Sequence, residues 1–147
     1  MLYIGADHGG YKLKEHLKKL LAKKDVAFSD VGAKKLTPGD DYPDYAKLVA
    51  KKVSTKPDGD LGILICRSGQ GVCIVANKFK NVRAALVWSV KEAQISRTDD
   101  MTNVLCLPSD YISTSLAEKI VEKWLSTKYS KDKRHVRRVR KISALEK

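Results

Sequence analysis

Cysteine is scarce in this sequence, and its spacing excludes two common architectures. There are three cysteines, no two of them form a Cys-x-x-Cys pair, and the three histidines do not cluster with them. An odd and small number of thiols does not build a disulfide framework, and a structural zinc site needs clustered ligands. We therefore expect reduced thiols, as in a cytoplasmic protein, and no structural zinc.

Long hydrophobic runs are also missing. No apolar stretch approaches the roughly 20 residues needed to cross a bilayer, and the segment from Met1 to Ala6 is too short for a signal peptide. No repeat or low-complexity linker divides the 147 residues, which suffice for one domain with a core. We expect a single cytoplasmic domain, residues 1–147, that does not enter a membrane.

Acidic residues are outnumbered, and the imbalance is concentrated at one end. The chain holds 29 Lys and Arg against 17 Asp and Glu, and residues 128–147 alone carry nine basic residues against Asp132 and Glu146. Such an arm suits a polyanion, the phosphate of a small molecule, or a solvated helix. Arg134 and Arg138 share a helical face, as do Arg137 and Lys141, and one of these pairs can bind a phosphate through two contacts. Because no nucleic-acid-binding motif is present, nucleic acid is the least favoured partner.

The pattern of apolar residues predicts alternating strands and helices. The predicted strands are 2–6, 26–31, 61–66, 82–88 and 103–107, and the predicted helices are 12–24, 41–53, 68–78, 90–96, 112–125 and 131–145. This alternation predicts an α/β fold with a five-stranded, mostly parallel sheet, helices on both faces and a basic C-terminal helical arm, 128–147.

Residues able to carry chemistry fall where the predicted strands end. In open α/β sheets, ligands bind beyond the carboxyl ends of the strands. We expect those ends to hold Asp7 and His8, Asp41 and Tyr42, Cys66 to Gly71, and Ser89 to Asp100. A small-molecule site at this edge is therefore the leading hypothesis.

The segment from Leu61 to Gly71 carries the strongest signal. An apolar run stops at Cys66, and a glycine-rich turn and a helix follow. A thiol beside Arg67 at the start of a helix is favoured as the thiolate, which can act as a nucleophile or a general base. Cys73 and Cys106, in contrast, are expected to be structural.

The turn itself, Gly69-Gln70-Gly71, is neither a Walker loop nor a full dinucleotide fingerprint. Its backbone N–H groups and the hydroxyl of Ser68 are suited to hold a substrate oxygen, although a tight turn also needs glycine. Asp7 and His8 precede two glycines and are suited to bind hydroxyl groups and move protons; Asp7 also fits the role of a helix cap.

A set of short motifs resembles one known family along nearly the whole chain. They are Gly5-Ala-Asp-His-Gly-Gly-Tyr-Lys-Leu-Lys14, Asp41-Tyr-Pro-Asp-Tyr-Ala46, Gly62-Ile-Leu-Ile-Cys66, Ala76-Asn-Lys78, Arg83-Ala-Ala85, Ser96-Arg97, Asn103-Val-Leu105 and Arg134-His-x-x-Arg138. In this order they are similar to the ribose-5-phosphate isomerase B family, which includes the galactose-6-phosphate isomerase subunits.

The resemblance implies a Rossmann-like three-layer αβα sandwich in a homodimer or dimer of dimers, with active sites between subunits. It also implies aldose–ketose isomerisation of a sugar phosphate without a metal or cofactor. Cys66 would be the base that moves a proton between C2 and C1, and the amides of Arg67 to Gly71, with Ser68, would hold the enediolate oxygen. Asp7, His8 and Tyr42 would contact the sugar, and Arg134 and Arg138 would bind the phosphate.

Three departures from the family pattern bear on this assignment. Arg67 and Ser68 stand where the family has Gly-Thr, so a bulky cation lies by the site. Asp99 and Asp100 stand where many members have His-Asn, the histidine opening the sugar ring and the asparagine supporting the enediolate. Asp110 stands where the family often has an arginine, and we hypothesise that Arg67 replaces that phosphate contact.

The preferred interpretation is a metal-independent isomerase acting on ribose 5-phosphate and ribulose 5-phosphate, with ring opening by Asp99, His8 or Asp7. Two alternatives stay open. One is the same chemistry on a hexose or tetrose phosphate. The other is a protein that binds sugar phosphates without turnover, for which the Asp99-Asp100 pair and the missing arginine are the best support.

Overall fold

A five-stranded sheet forms the centre of the computed structural model, which describes residues 1–146. The strands are β1 (Leu2–Ala6), β2 (Phe28–Asp30), β3 (Leu61–Cys66), β4 (Ala84–Leu86) and β5 (Val104–Pro108). They lie in the order β2-β1-β3-β5-β4, and every neighbouring pair is parallel. The predicted parallel α/β sheet is therefore confirmed.

Within the described part of the chain, six helices connect and cover the strands. They are α1 (Tyr11–Lys23), α2 (Tyr42–Thr55), α3 (Gln70–Ala76), α4 (Val90–Thr98), α5 (Thr114–Ser126) and α6 (Lys133–Ser143). Local chemistry sets several of their starts. Pro43 lies in the first turn of α2, and the hydroxyls of Ser89 and Ser113 accept hydrogen bonds from the first-turn amides of α4 and α5.

Successive side chains of the central strand β3 point to opposite faces of the sheet and divide the hydrophobic core into two halves. Ile63 and Ile65 pack on one face of the sheet with residues of α1, α4 and α5. Leu64 and Cys66 face the other side and pack with α2 and α3. Because a strand side chain points to opposite faces at each step, this pattern produces the three-layer αβα sandwich. It also places the Cys66 side chain on the α2 and α3 side.

The chain changes direction between β1 and β3. From β1 it continues to β2 on one side of the sheet, and from β3 it continues to β4 and β5 on the other. The loops after β1 and β3 therefore diverge and leave a crevice between them, which is the usual ligand position in such sheets. Among the described residues, no helix is long and apolar enough to span a membrane.

One sequence prediction about the sheet edge is wrong. We expected the whole segment Ser89 to Asp100 at the carboxyl ends of the strands. Ser89 does follow β4, but α4 then carries the chain back across the sheet, so Asp99 and Asp100 precede the start of β5. A right-handed crossover requires this return, and a five-residue strand rises about 17 Å. Asp99 and Asp100 thus lie at the opposite edge from Cys66 of the same chain.

Candidate functional site

Cys66 ends β3 at the bottom of the crevice. Cys66 is only 5% exposed, and the backbone N–H of Gly69 donates a hydrogen bond to its sulfur at 3.2 Å. Gly69 adopts φ +71°, and a Cβ at that position would fall 2.5 Å from the Leu86 side chain. Glycine is therefore required for the turn that directs this amide at the sulfur. The turn thus places one backbone N–H directly at the sulfur.

The remainder of the turn opens toward α2. A Cβ on Gly71 would lie 2.5 Å from the ring of Tyr42, so the aromatic ring rests directly against the start of α3. Tyr42 is partly exposed and begins α2. The Ser68 hydroxyl accepts a long hydrogen bond from the Gln70 amide (3.4 Å). An aromatic ring, a hydroxyl group and the amides of the turn thus surround the end of β3.

Asp7 and His8 enter the crevice from the end of β1. The carboxylate of Asp7 is buried and accepts a hydrogen bond from the Gly10 amide at 3.0 Å. Burial raises the pKa of Asp7, and the Gly10 amide only partly offsets that rise. His8 is half-buried beside it. The pair thus supplies hydrogen-bonding groups on the side of the crevice formed by β1.

Asp40 holds His8 in place and was missed by the sequence analysis. One carboxylate oxygen of Asp40 accepts hydrogen bonds from the His8 backbone N–H (2.8 Å) and lies 2.7 Å from His8 Nδ1. Burial works to raise the pKa of Asp40, but the contacts with His8 and Tyr45 outweigh it and hold that pKa below its usual value. An ionised Asp40 fixes the Nδ1–H tautomer and leaves Nε2 free to meet a substrate.

These three side chains also have the composition of a metal site. Among residues 1–146, Asp7, His8 and Asp40 are the one group of potential ligands whose atoms all lie within 4.8 Å of each other. The hydrogen bonds explain the grouping without an ion. Asp40 is engaged by His8, and Asp7 is engaged by the Gly10 amide. A bound cation would have to replace these contacts.

The loop after β5 closes the other side of the crevice. The Ser109 hydroxyl donates to the carbonyl oxygens of Gly9 (2.9 Å) and Cys66 (3.1 Å), which ties the loops after β1, β3 and β5 together. The Arg67 side chain packs where these loops meet, since a Cβ on Gly9 would fall 2.6 Å from Arg67 Cγ. Its guanidinium Nη1 is 3.4 Å from a carboxylate oxygen of Asp110.

The four remaining residues assigned from the sequence gather at the opposite edge of the sheet. Asp99 Oδ1 lies 3.7 Å from Nδ1 of His135, a buried residue of α6. Asp100 borders a cleft beside the C-terminal part of α6. Arg134 and Arg138 are both exposed on α6. The chain therefore brings Cys66, Ser68, Asp7, His8, Tyr42, Arg67, Gly69 and Gly71 together, and it keeps Asp99, Asp100, Arg134 and Arg138 away from them.

A doubly wound parallel sheet with a thiol and a His–Asp pair across its switch point defines a Rossmann-like α/β protein with a small-molecule site. The profile of the Ribose/Galactose Isomerase family matches residues 2–142. The chain therefore belongs to that family.

Individual relatives match over almost their full length. A protein named probable ribose-5-phosphate isomerase B, from Mycoplasma genitalium, is 45% identical over 146 residues, or 99% of this chain and 95% of the relative. Ribose-5-phosphate isomerase B from Escherichia coli is 39% identical over 143 residues. This match includes 97% of this chain and 94% of the Escherichia coli protein. The crystal structure of the Mycoplasma genitalium protein with bound ribulose 5-phosphate gives a TM-score of 0.96 at 45% identity, covering 99% of this chain and 95% of that one.

Proposed function

We propose that this protein interconverts ribose 5-phosphate and ribulose 5-phosphate through an enediol. The observation that carries the proposal is the Cys66 thiol at the switch point with the Gly69 amide directed at its sulfur. The relative of known structure that binds ribulose 5-phosphate supports the choice of substrate. Residues 1–147 act as one domain in this proposal, and the enzyme is cytoplasmic.

The reaction requires a base that can reach both C1 and C2. In the aldose-to-ketose direction, the Cys66 thiolate removes the C2 proton and the carbonyl oxygen at C1 takes up the negative charge. The amides of the Arg67 to Gly71 turn, with the Ser68 hydroxyl, stabilise that oxygen. The proton of the C2 hydroxyl passes to the C1 oxygen, and the thiol then returns a proton to C1 as the C2 carbonyl forms. Asp7, His8 and Tyr42 bind the sugar hydroxyls and hold the two carbons over the sulfur.

A second copy of the chain completes this site. Asp99, Asp100, Arg134 and Arg138 are too far from Cys66 of their own chain, because a whole strand length separates the two edges. In a two-fold dimer, the far edge of one subunit meets the crevice of the other, so each interface holds two equivalent sites. Arg134 and Arg138 then bind the phosphate, Asp100 contacts the sugar, and Asp99 takes part in ring opening.

Exposed apolar side chains at both edges support this arrangement. Trp88 and Tyr111, which follow β4 and β5 on the Cys66 edge, are 54% and 77% exposed. Ile142 and Leu145, near the far edge, are 42% and 80% exposed. Exposed apolar side chains that form a contiguous patch commonly mark a protein–protein contact. The protein is therefore a homodimer, or a dimer of dimers built on the same contact.

Replacing Asp40 by asparagine tests the role of the His8 contact. We expect kcat/KM for ribose 5-phosphate to fall about tenfold with little loss of folded protein, because an amide no longer fixes the His8 tautomer. Nitrogen chemical shifts of the His8 ring should change in parallel. The matched control is Asp44→Asn, which replaces an exposed acid of α2 that, within residues 1–146, forms its ion pair with Lys47. Unchanged kinetics and ring shifts in Asp40→Asn would contradict the assignment.

The activity itself is tested by ketopentose formation from ribose 5-phosphate in the presence of a chelator. We expect turnover that the chelator does not reduce. Hexose and tetrose phosphates, assayed in parallel, distinguish this substrate from the alternative sugars. Tight sugar-phosphate binding with no turnover on any of them would instead favour the non-catalytic alternative, for which the Asp99-Asp100 pair is the supporting observation.

A further inference from the structure

We propose that Arg67 is the phosphate ligand supplied by the same subunit as Cys66, and that Asp110 positions its guanidinium. This inference rests on the proposed isomerase activity. It assigns a role to an ion pair that the reaction chemistry does not otherwise use. It also gives the substrate a direction in the crevice, with C1 and C2 at the sulfur and the phosphate toward the loop after β5.

The position of Arg67 is set by the backbone around it. Arg67 follows Cys66 directly, and its carbonyl oxygen accepts a hydrogen bond from the Asp110 amide at 3.0 Å. The Ser109 backbone N–H likewise donates a hydrogen bond to the carbonyl oxygen of Cys66 at 3.0 Å. The two loops are therefore already joined by their main chains. The side-chain contact between Arg67 and Asp110 needs little further ordering and selects one orientation of the guanidinium.

The ion pair is poorly suited to a purely structural role. The Arg67 and Asp110 side chains are 66% and 45% exposed, and the contact is long at 3.4 Å. Exposed pairs of this kind contribute little to folding stability. A guanidinium has five N–H donors in a planar fork, and one contact to a carboxylate leaves the others free for phosphate oxygens.

The charges on the two sides of the crevice favour the same direction. Asp7 and Asp40 place two carboxyl groups on the side formed by β1. Repulsion from these carboxyl groups disfavours a phosphate on that side, whereas on the Arg67 side the single carboxylate, that of Asp110, is offset by the guanidinium. Sugar hydroxyl groups, by contrast, are suitable donors for the carboxylates. The phosphate then lies between Arg67 of one subunit and the exposed arginines of α6 in the other.

The test compares Arg67→Ala, Asp110→Asn and the double variant Arg67→Asp/Asp110→Arg. Arg67→Ala should raise KM for ribose 5-phosphate, and the inhibition constant of inorganic phosphate, by about tenfold, with most of the loss in KM rather than kcat. Asp110→Asn should raise both by about threefold, because the cation is kept but less well oriented, and Asp110→Glu should restore part of the loss. The exchanged pair should recover more than half of the loss seen in Arg67→Ala.

The controls separate this inference from the proposed function. Lys47→Ala removes another exposed cation of an ion pair, on α2, and should leave both constants unchanged. Binding of inorganic phosphate, measured by calorimetry, needs no turnover, so a wild-type protein inactive on ribose 5-phosphate would refute the activity and still report on Arg67. Phosphate affinity that is equal in wild type and Arg67→Ala would overturn the inference. A loss in Arg67→Ala that the exchanged pair does not recover would overturn the role of Asp110.

Discussion

Replacing Cys66 by alanine is expected to abolish isomerisation while sugar-phosphate binding persists. The sulfur is the one group directly against the Gly69 amide, and alanine fills part of its buried space without supplying a base. Loss of the positioned base should cost about 1,000-fold or more in kcat. Ketopentose formation gives the rate, and calorimetry with ribose 5-phosphate gives the affinity. Near-normal turnover in Cys66→Ala would refute the assignment of the base.

A second readout follows the proton directly. Wild-type protein in deuterium oxide should exchange the C1 hydrogen of ribulose 5-phosphate with solvent, because the enediol forms reversibly. Cys66→Ala should not. Since ribulose 5-phosphate needs no ring opening, this exchange is independent of the residue that opens the ring of the aldose. The matched control is Cys73→Ala, which removes a half-buried thiol whose sulfur donates to the Ala84 carbonyl at 3.4 Å. Its exchange rate should stay within a few-fold of wild type.

The central strands were predictable from the sequence, and the edge strands were less so. The runs 2–6 and 61–66 match β1 and β3 to the residue. Both strands are paired on each side and covered on both faces, so they appear as continuous apolar runs. The predictions 26–31 and 82–88 overestimate β2 and β4, which span only Phe28–Asp30 and Ala84–Leu86. Each of these edge strands pairs with only one neighbouring strand in the sheet. The pairing stops within the apolar segment, so the strand is shorter than the run of apolar residues that predicted it.

The residues of the candidate site also divide into those that the sequence predicted and those that it did not. The turn after Cys66 was predictable because its residues are consecutive in the sequence. An apolar strand that ends at a thiol and is followed by two glycines predicts a tight turn with the thiol at the end of the strand. Asp40 was not, since its role depends on a 32-residue separation from His8 and it lies in a polar loop beside a second acid, Asp41. The edge at which Asp99 lies follows from the order of the elements. Asp99 falls between the predicted helix 90–96 and the predicted strand 103–107, and a parallel connection returns the chain to the amino edge before the next strand begins.

Mixing two inactive variants should restore activity if each site is shared between subunits. Cys66→Ala keeps an intact far edge, and the double variant Arg134→Ala/Arg138→Ala keeps an intact crevice. In a mixed dimer, one of the two sites combines both intact halves while the other combines both defects. The isolated mixed dimer should therefore have about half of the wild-type activity, and an unfractionated population, in which random assortment makes half of the dimers mixed, should have about a quarter. Co-expression with two different affinity tags and isolation of the doubly tagged species gives the measurement.

The matched control pairs two variants from the same edge. Cys66→Ala mixed with Asp7→Ala should remain inactive, because each site then contains one defective crevice whichever subunit supplies it. Recovery in the first mixture and none in the second would locate the catalytic thiol and the α6 arginines on different subunits. Equal recovery in both, or none in either with dimers present, would contradict the shared site. Arg134 and Arg138 would then need another role, since the fold keeps them a full strand length from Cys66 of their own chain.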